Sequence, residues 1–337
     1  MPDPQYMTHI NYAFGHVNES FNGVKIDNEE RLRQIVDLRK QKPELKVLLS
    51  IGGWGSGRFS EMAANDEYRR AFAADCARVV KEFALDGIDI DWEYPTSSMA
   101  NISSSPDDTE NFTLLMQDIR AAIGNEKELT LATVASARYI DFKAILPSVD
   151  FVNIMAYDMA SAPKHHSALY PSGHSGDITS DGAVTAHLKA GVPPSKLVMG
   201  MPFYGRGGDG YPSFQDYNKV GNTDTQYTEK WDEVAQVPYL ADKNDTLVFG
   251  FENPRSLAIK CQYILDKDLL GGMYWDYSGD NEQGDLRRTV AENLLGKPHK
   301  AKVLVLTERG GQHGGFTDAG LRWLAAEGAK GNFSITC

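Results

Sequence analysis

The sequence predicts an α/β fold and, within that class, a (β/α) barrel. Three observations carry this. Seven short apolar runs recur along the 337 residues, each with the length and the β-branched or aromatic content of a buried strand. Stretches with helical spacing separate them, and repeated strand–helix alternation means parallel strands joined by helical crossovers. No Gly-x-Gly-x-x-Gly opens the first helix, which argues against a dinucleotide-binding doubly wound sheet.

In order, the runs are 8–14 (THINYAF), 46–51 (KVLLSI), 87–93 (GIDIDWE), 129–135 (LTLATVA), 151–157 (FVNIMAY), 196–203 (KLVMGMPF) and 271–276 (GGMYWD). Between them, residues 66–84 place Phe72, Cys76, Val79, Val80 and Phe83 on one helical face. Residues 110–123 do the same with Phe112, Leu115, Met116, Ile119 and Ile123. A third helix opens at Asn253-Pro254, a capping residue followed by proline at the first helical position. It would bury Leu257, Cys261, Ile264 and Leu265. Residues 207–250 break the rhythm. They are rich in Gly, Asp, Asn and aromatics and too long for an ordinary loop, so a small insertion or substrate-binding lobe is expected there.

Composition narrows the function. Hydrophobic residues make up 42% and charged residues 24% of the chain, ordinary values for a globular protein. Lys+Arg number 34 against 46 Asp+Glu, and a net charge of −12 repels phosphate backbones, so nucleic acid is excluded as a partner. No run of 18 apolar residues occurs, so no membrane-spanning helix is expected. Cys76, Cys261 and Cys337 are too few and scattered for a disulfide framework or a zinc module, and Cys76 and Cys261 read as buried thiols. The first residues, MPDPQYMTHI, lack the basic and apolar regions of a signal peptide.

The chemistry is concentrated in Asp86-Gly87-Ile88-Asp89-Ile90-Asp91-Trp92-Glu93-Tyr94-Pro95. Side chains alternate along a strand, so Asp89, Asp91 and Glu93 point one way while Ile88, Ile90 and Trp92 point the other. The apolar face suits packing on helices; the carboxylates, ~6–7 Å apart along the strand, then face the barrel interior. Glu93 comes last, at the C-terminal end where barrel active sites lie. Three acids in a row in a barrel cannot all ionise cheaply, so a proton is retained near neutrality. A protonated carboxyl at the rim is what a general acid for glycosidic cleavage requires. A metal site is the rival reading, since carboxylates bind hard cations, although Trp92, Tyr94 and Pro95 bring no further oxygen ligands. The adjacent pair His165-His166 reads as loop hydrogen-bonders rather than metal ligands.

The ten-residue segment resembles the signature of family 18 glycoside hydrolases, the chitinases and related endo-β-N-acetylglucosaminidases. Ser50-Ile51-Gly52-Gly53-Trp54 is similar to the family's Ser-x-Gly-Gly motif, and Met155-Ala156-Tyr157-Asp158 to its Met-x-Tyr-Asp motif. Pro202-Phe203-Tyr204-Gly205-Arg206 and Gly272-Met273-Tyr274-Trp275-Asp276 match later strand ends. The resemblance runs over residues 6–296 and implies a (β/α)8 TIM barrel. It implies hydrolysis of chitin or another GlcNAc-containing oligosaccharide without metal or cofactor, by a substrate-assisted retaining mechanism. Glu93 would be the general acid, Asp91 would hold the acetamido N–H, Asp89 would share a proton with Asp91, and Tyr157 would bond the acetamido oxygen. Trp275 would floor the subsite with Asp158 beside Tyr157. Met155, Tyr204, Arg206, Trp54, Tyr94, Phe14 and Ser50 complete the expected substrate-binding set. The alternative is a non-catalytic glycan-binding lectin on the same barrel; such lectins typically lose the acid glutamate, and Glu93 is present. A monomer is expected, acting outside the cell, at its surface or in a periplasm in the full-length protein.

One feature departs from the family. Its barrel opens with a strand ahead of the one at 8–14, and only residues 1–7 precede that run here. Residues 1–298 therefore read as a barrel lacking its usual first strand. Residues 299–337 read as an appended strand (302–307, KVLVLT), Gly-rich loop (309–315) and helix (317–327). The appendage either fills the place of the missing strand or is the truncated start of a second domain, since it resembles the opening of trehalose-utilisation-type domains.

Overall fold

A computed structural model describes residues 1–208, 211–220 and 226–295, and the backbone of 303–309. In chain order, β1 (His9–Val17) turns back through β2 (Val24–Ile26) into α1 (Glu29–Val36). Then come β3 (Lys46–Gly52), α2 (Phe59–Ala64), α3 (Asp66–Glu82), β4 (Gly87–Asp91), α4 (Asp108–Ile123) and β5 (Glu128–Val134). After α5 (Phe142–Ile145) follow β6 (Phe151–Met155), α6 (Ser180–Lys189) and β7 (Leu197–Pro202). All seven expected runs form strands.

Those strands are parallel neighbours in the order β1, β3, β4, β5, β6, β7, then β13 (Gly271–Trp275). Between β7 and β13 the chain leaves the barrel as β8 (Tyr204–Gly207), β9 (Phe214–Asp216), β10 (Thr228–Asp232), β11 (Val237–Ala241) and β12 (Leu247–Gly250), and returns through α7 (Pro254–Asp266). Strands β8–β12 form a separate antiparallel sheet ordered β10-β11-β12-β8-β9. This lobe starts at Tyr204, earlier than the expected 207, because Tyr204-Gly205-Arg206 pairs with β9 rather than extending the barrel.

After α8 (Asp285–Leu294), β14 (Val303–Arg309) lies parallel between β13 and β1. Val305 stands opposite both His9 and Met273. The parallel pairings thus run full circle through eight strands, with β14 between β13 and β1. Of the loop expected at 309–315, Arg309 belongs to β14; the rest of it, the helix expected at 317–327 and Cys337 lie outside the described residues.

Local sequence explains the elements. Asn65 caps α3 by accepting from the N–H groups of Glu67 and Tyr68 at 2.9 and 3.0 Å. Asn253 and Ser256 form a reciprocal capping box on α7, with Pro254 in the first turn. Helices bury the expected faces, Phe72, Cys76, Val79 and Val80 on α3 and Phe112, Leu115, Met116 and Ile119 on α4. On β4 the outward Ile88 and Ile90 are fully buried under these helices. Trp92 stacks on Phe59 at 5.3 Å and meets Phe112 edge-on at 5.8 Å. β4 ends at Asp91, short of the expected Glu93, because pairing with β5 stops at Ile90–Leu131. Glu93 therefore sits just past the strand, on the chain that forms the cleft. No described helix is long and apolar enough to cross a membrane.

Candidate active site

The barrel register builds the site in layers. Ser50 on β3 and Thr130 on β5 are the direct neighbours of Asp89 on β4. Residues at matched register point to the same side, so their hydroxyls converge on the Asp89 carboxylate. Ser50 Oγ donates to Oδ2 at 2.7 Å, and Thr130 Oγ1 donates to Oδ1 at 2.6 Å. Asn153 Nδ2 on β6 adds a third bond to Oδ1 at 3.3 Å. Asp91 stands one step higher, and its Oδ1 is buried without a hydrogen-bond partner among the described residues.

Close backbone approach makes room for this ladder. Gly53 N donates to Asp91 O at 2.9 Å. At Gly52 (φ +132°) a Cβ would lie 1.9 Å from Asp91 O, and at Gly53 (φ +92°) it would lie 2.7 Å from the Phe14 ring. Only glycine fits either position.

Burial raises both Asp89 and Asp91 above the ordinary aspartate value; for Asp91 the charges of Glu93 and Asp89 push further, while for Asp89 its three hydrogen bonds pull back. Glu93 is partly exposed to the cleft. Burial pushes its carboxyl up to about 7, against a hydrogen bond with Tyr94 and with help from the Asp158 charge. Tyr157 is held well above its usual value, first by burial and then by the carboxylates around it, so its hydroxyl stays protonated. Asp158 behaves oppositely. Burial alone would raise it, but the Arg206 guanidinium holds it below the carboxylate range, with Nε and Nη2 on its two oxygens at 2.6 and 2.8 Å.

The cleft opens to solvent. Twelve expected residues line it: Glu93, Asp91, Asp89, Tyr157, Trp275, Asp158, Met155, Tyr204, Trp54, Tyr94, Phe14 and Ser50. Trp275 and Phe14 are stacked at 5.7 Å and 26°. Trp54 and Tyr94 meet edge-on at 6.4 Å. Arg206 is the exception. It is 8% exposed, stands behind Asp158 and is not part of the lining, because β8 has already turned into the lobe. His165 and His166 are hydrogen-bonders, to Asp232 Oδ2 at 3.1 Å and to the Asp158 N–H at 3.4 Å.

Sequence reasoning missed Asn11, His16, Asp27, Ala132, Asn153 and Met273, which also line the cleft. Asn11 and Asn153 carried a signal, a lone amide at the centre of an apolar strand. His16 and Asp27 carried none: they meet at 2.9 Å only because β2 folds back on β1.

The family model for glycosyl hydrolases family 18 matches residues 1–280. This chain belongs to that family. Its similarity extends to individual family 18 proteins. Chitinase A1 of Niallia circulans is 33% identical over 305 residues, which are 75% of this chain and 43% of that protein. Chitotriosidase-1 of Mus musculus is 32% identical over 327 residues, 84% of this chain and 69% of that one. The solved family 18 N-acetylglucosaminidase of Paenibacillus barengoltzii superposes with a TM-score of 0.80 at 33% identity, covering 86% of this chain and 94% of that chain. This chain thus spans less than half the length of the Niallia circulans protein. In family 18 terms, the 50–54, 86–95 and 155–158 motifs, distant in sequence, meet in one cleft at the C-terminal ends of β3, β4 and β6.

Proposed function

We propose that the protein hydrolyses β-1,4-linked N-acetylglucosamine polymers, chitin or chito-oligosaccharides, with retention and with the substrate's own acetamido group as nucleophile. One observation carries this reading: the Glu93 carboxyl reaches the cleft just past the end of β4, above the two buried carboxylates of Asp89 and Asp91 on that strand, where burial raises its pKa. Glu93 donates its proton to the glycosidic oxygen as the bond to C1 breaks. The acetamido carbonyl oxygen attacks C1 and forms a cyclic oxazolinium ion. Asp91 accepts the acetamido N–H and its negative field stabilises the cation. Tyr157, kept protonated, donates to the acetamido oxygen, and the Trp275 face supports the sugar. Glu93, now ionised, takes a proton from the water that opens the oxazolinium and regains its acid form. Arg206 acts through Asp158, fixing its carboxylate beside Tyr157. An insoluble polymer as substrate supports action outside the cell.

Two outcomes follow. The proton on Glu93 is required in the free enzyme, so kcat/KM on chito-oligosaccharides should fall as pH rises through about 7; a profile flat to pH 9 contradicts the assignment. Cellotetraose lacks the internal nucleophile and should not be cleaved, while chitotetraose gives β-anomeric products by proton NMR. Chitotetraose that binds without cleavage, or cellotetraose cleaved at a comparable rate, overturns the proposal.

A further inference from the structure

We propose that Asp108 is a positioning residue for the general acid: it pins the loop that carries Glu93 and so holds that carboxyl in place at the cleft. The proposal rests on the role given to Glu93 above and adds to it a buried carboxylate that touches no sugar.

Glu93 needs a support because the barrel ladder does not reach it. β4 ends at Asp91, α4 begins at Asp108, and the chain between them carries no strand or helix. Connections this long without secondary structure are the exception in compact domains. Asp108 ties this one together. Its Oδ2 accepts from the N–H of Thr96 at 3.0 Å and from that of Ser105 at 2.8 Å, so one oxygen gathers both ends of the loop. Ser60 Oγ on α2 donates to Oδ1 at 2.7 Å. Asp108 is fully buried, and a buried carboxylate is costly without donors, so it is held as firmly as it holds the loop. Thr96 has φ +62°, a conformation that a β-branched residue keeps only where its surroundings fix it.

The same two helices grip the chain on the other side of Glu93. Trp92 packs on Phe59 of α2 and on Phe112 of α4. Phe59 adjoins Ser60, and Phe112 lies one helical turn past Asp108. Glu93 is thus held one residue before by rings and three residues after by a carboxylate, both anchored on α2 and α4. The titratable groups facing Glu93 are Asp91 below it, Tyr94 on its own loop, Tyr157 and Asp158 past β6, and His16 and Asp27 on the cleft wall. Asp108 lies outside the cleft lining, so it acts on Glu93 through the backbone. Burial is the largest cause that pushes the Glu93 carboxyl up, so a loosened loop that admits water brings it down.

The test is the alkaline limb of the pH profile. Asp108→Ala leaves two N–H groups and the Ser60 hydroxyl without their acceptor. The alkaline limb of kcat/KM should then move below about 7, by about one pH unit, a roughly tenfold loss at a fixed pH above the limb. Asp108→Asn should restore the limb, because its amide oxygen still accepts from Thr96 and Ser105 while its NH₂ donates to the Ser60 hydroxyl. Ser60→Ala removes only the donor from α2 and should move the limb the same way by less. A purely structural role would lower activity at every pH alike. A loss uniform across pH, or an unmoved limb in folded Asp108→Ala protein, overturns the proposal; where Asp108→Ala does not fold, an unmoved limb in Ser60→Ala does so. Carbon-13 NMR titration of the glutamate carboxyls in the unliganded protein reads the same effect without activity: Glu93 should titrate lower in the variant than in wild type, and an unchanged titration overturns the proposal. A wild-type protein that cleaves no GlcNAc oligomer at any pH defeats the proposed reaction, and the NMR titration still decides whether Asp108 positions Glu93.

Discussion

Replacing Glu93 with glutamine is expected to leave the fold intact and cut turnover of an aryl chitobioside by about 10²–10⁴-fold. The amide keeps the size and hydrogen-bonding reach of the acid but carries no transferable proton. The loss should fall on kcat rather than KM, because in the proposed reaction the sugar is held by Trp275, Tyr157 and the cleft walls, which the substitution leaves in place. Thermal unfolding should move little or upward, since the substitution removes one of three stacked acids that burial and mutual repulsion make costly together. A purified, folded Glu93→Gln protein that keeps more than a tenth of wild-type turnover would show that the acid is another group.

Removing residues 299–337 is expected to abolish cooperative folding rather than trim a dispensable tail. We propose that the strand within it, β14, is part of the barrel. Its strand β14 has the backbone of β13 on one side and of β1 on the other, with five residues matched to β1 and four to β13. Without it, both neighbours become open edges of a parallel sheet, a form that occurs almost always covered. Buried backbone groups would lose partners along both edges. The damage would reach the site, since β1 carries Asn11 and Phe14 and β13 carries Met273 and Trp275. A sharper variant is Val305→Pro, which disturbs pairing at a position matched to both neighbours while leaving the chain length unchanged. Soluble, fully active protein from the truncation would show that the barrel stands without β14, and circular dichroism melts of both variants would locate any loss in folding.

The legible part of the site lay in strand alternation. Once residues 87–91 are a buried strand, Asp89 and Asp91 must share a face with the residue that follows in phase, Glu93, and the opposite face must pack, as Trp92 does on Phe59 and Phe112. The same parity could have flagged Asn11 and Asn153. It could not show that Asn153 reaches Asp89, because that contact depends on the stagger between β4 and β6, two strands apart. Arg206 shows the limit from the other side. Its place at a strand end suggested contact with substrate, yet the chain turns at Tyr204 to start the lobe, and the guanidinium meets Asp158 from behind.

What the sequence determined by itself is whatever depends on short-range periodicity and local chemistry. That covers the seven parallel strands, the helices with their caps, the acid ladder on one face of β4, and the motifs that mark family 18. What only the tertiary structure decided is which distant segments become neighbours. Residues 302–307 were legible as a strand, but their pattern suited a barrel and a second domain equally. Hydrogen bonding between β-strands is carried by the backbone, which is the same at every residue, so the sequence of a strand says little about which strand lies beside it. The tertiary arrangement put β14 between β13 and β1, brought His16 to Asp27 across the β1–β2 hairpin, and aimed Ser50, Thr130 and Asn153 from three different strands at the single carboxylate of Asp89.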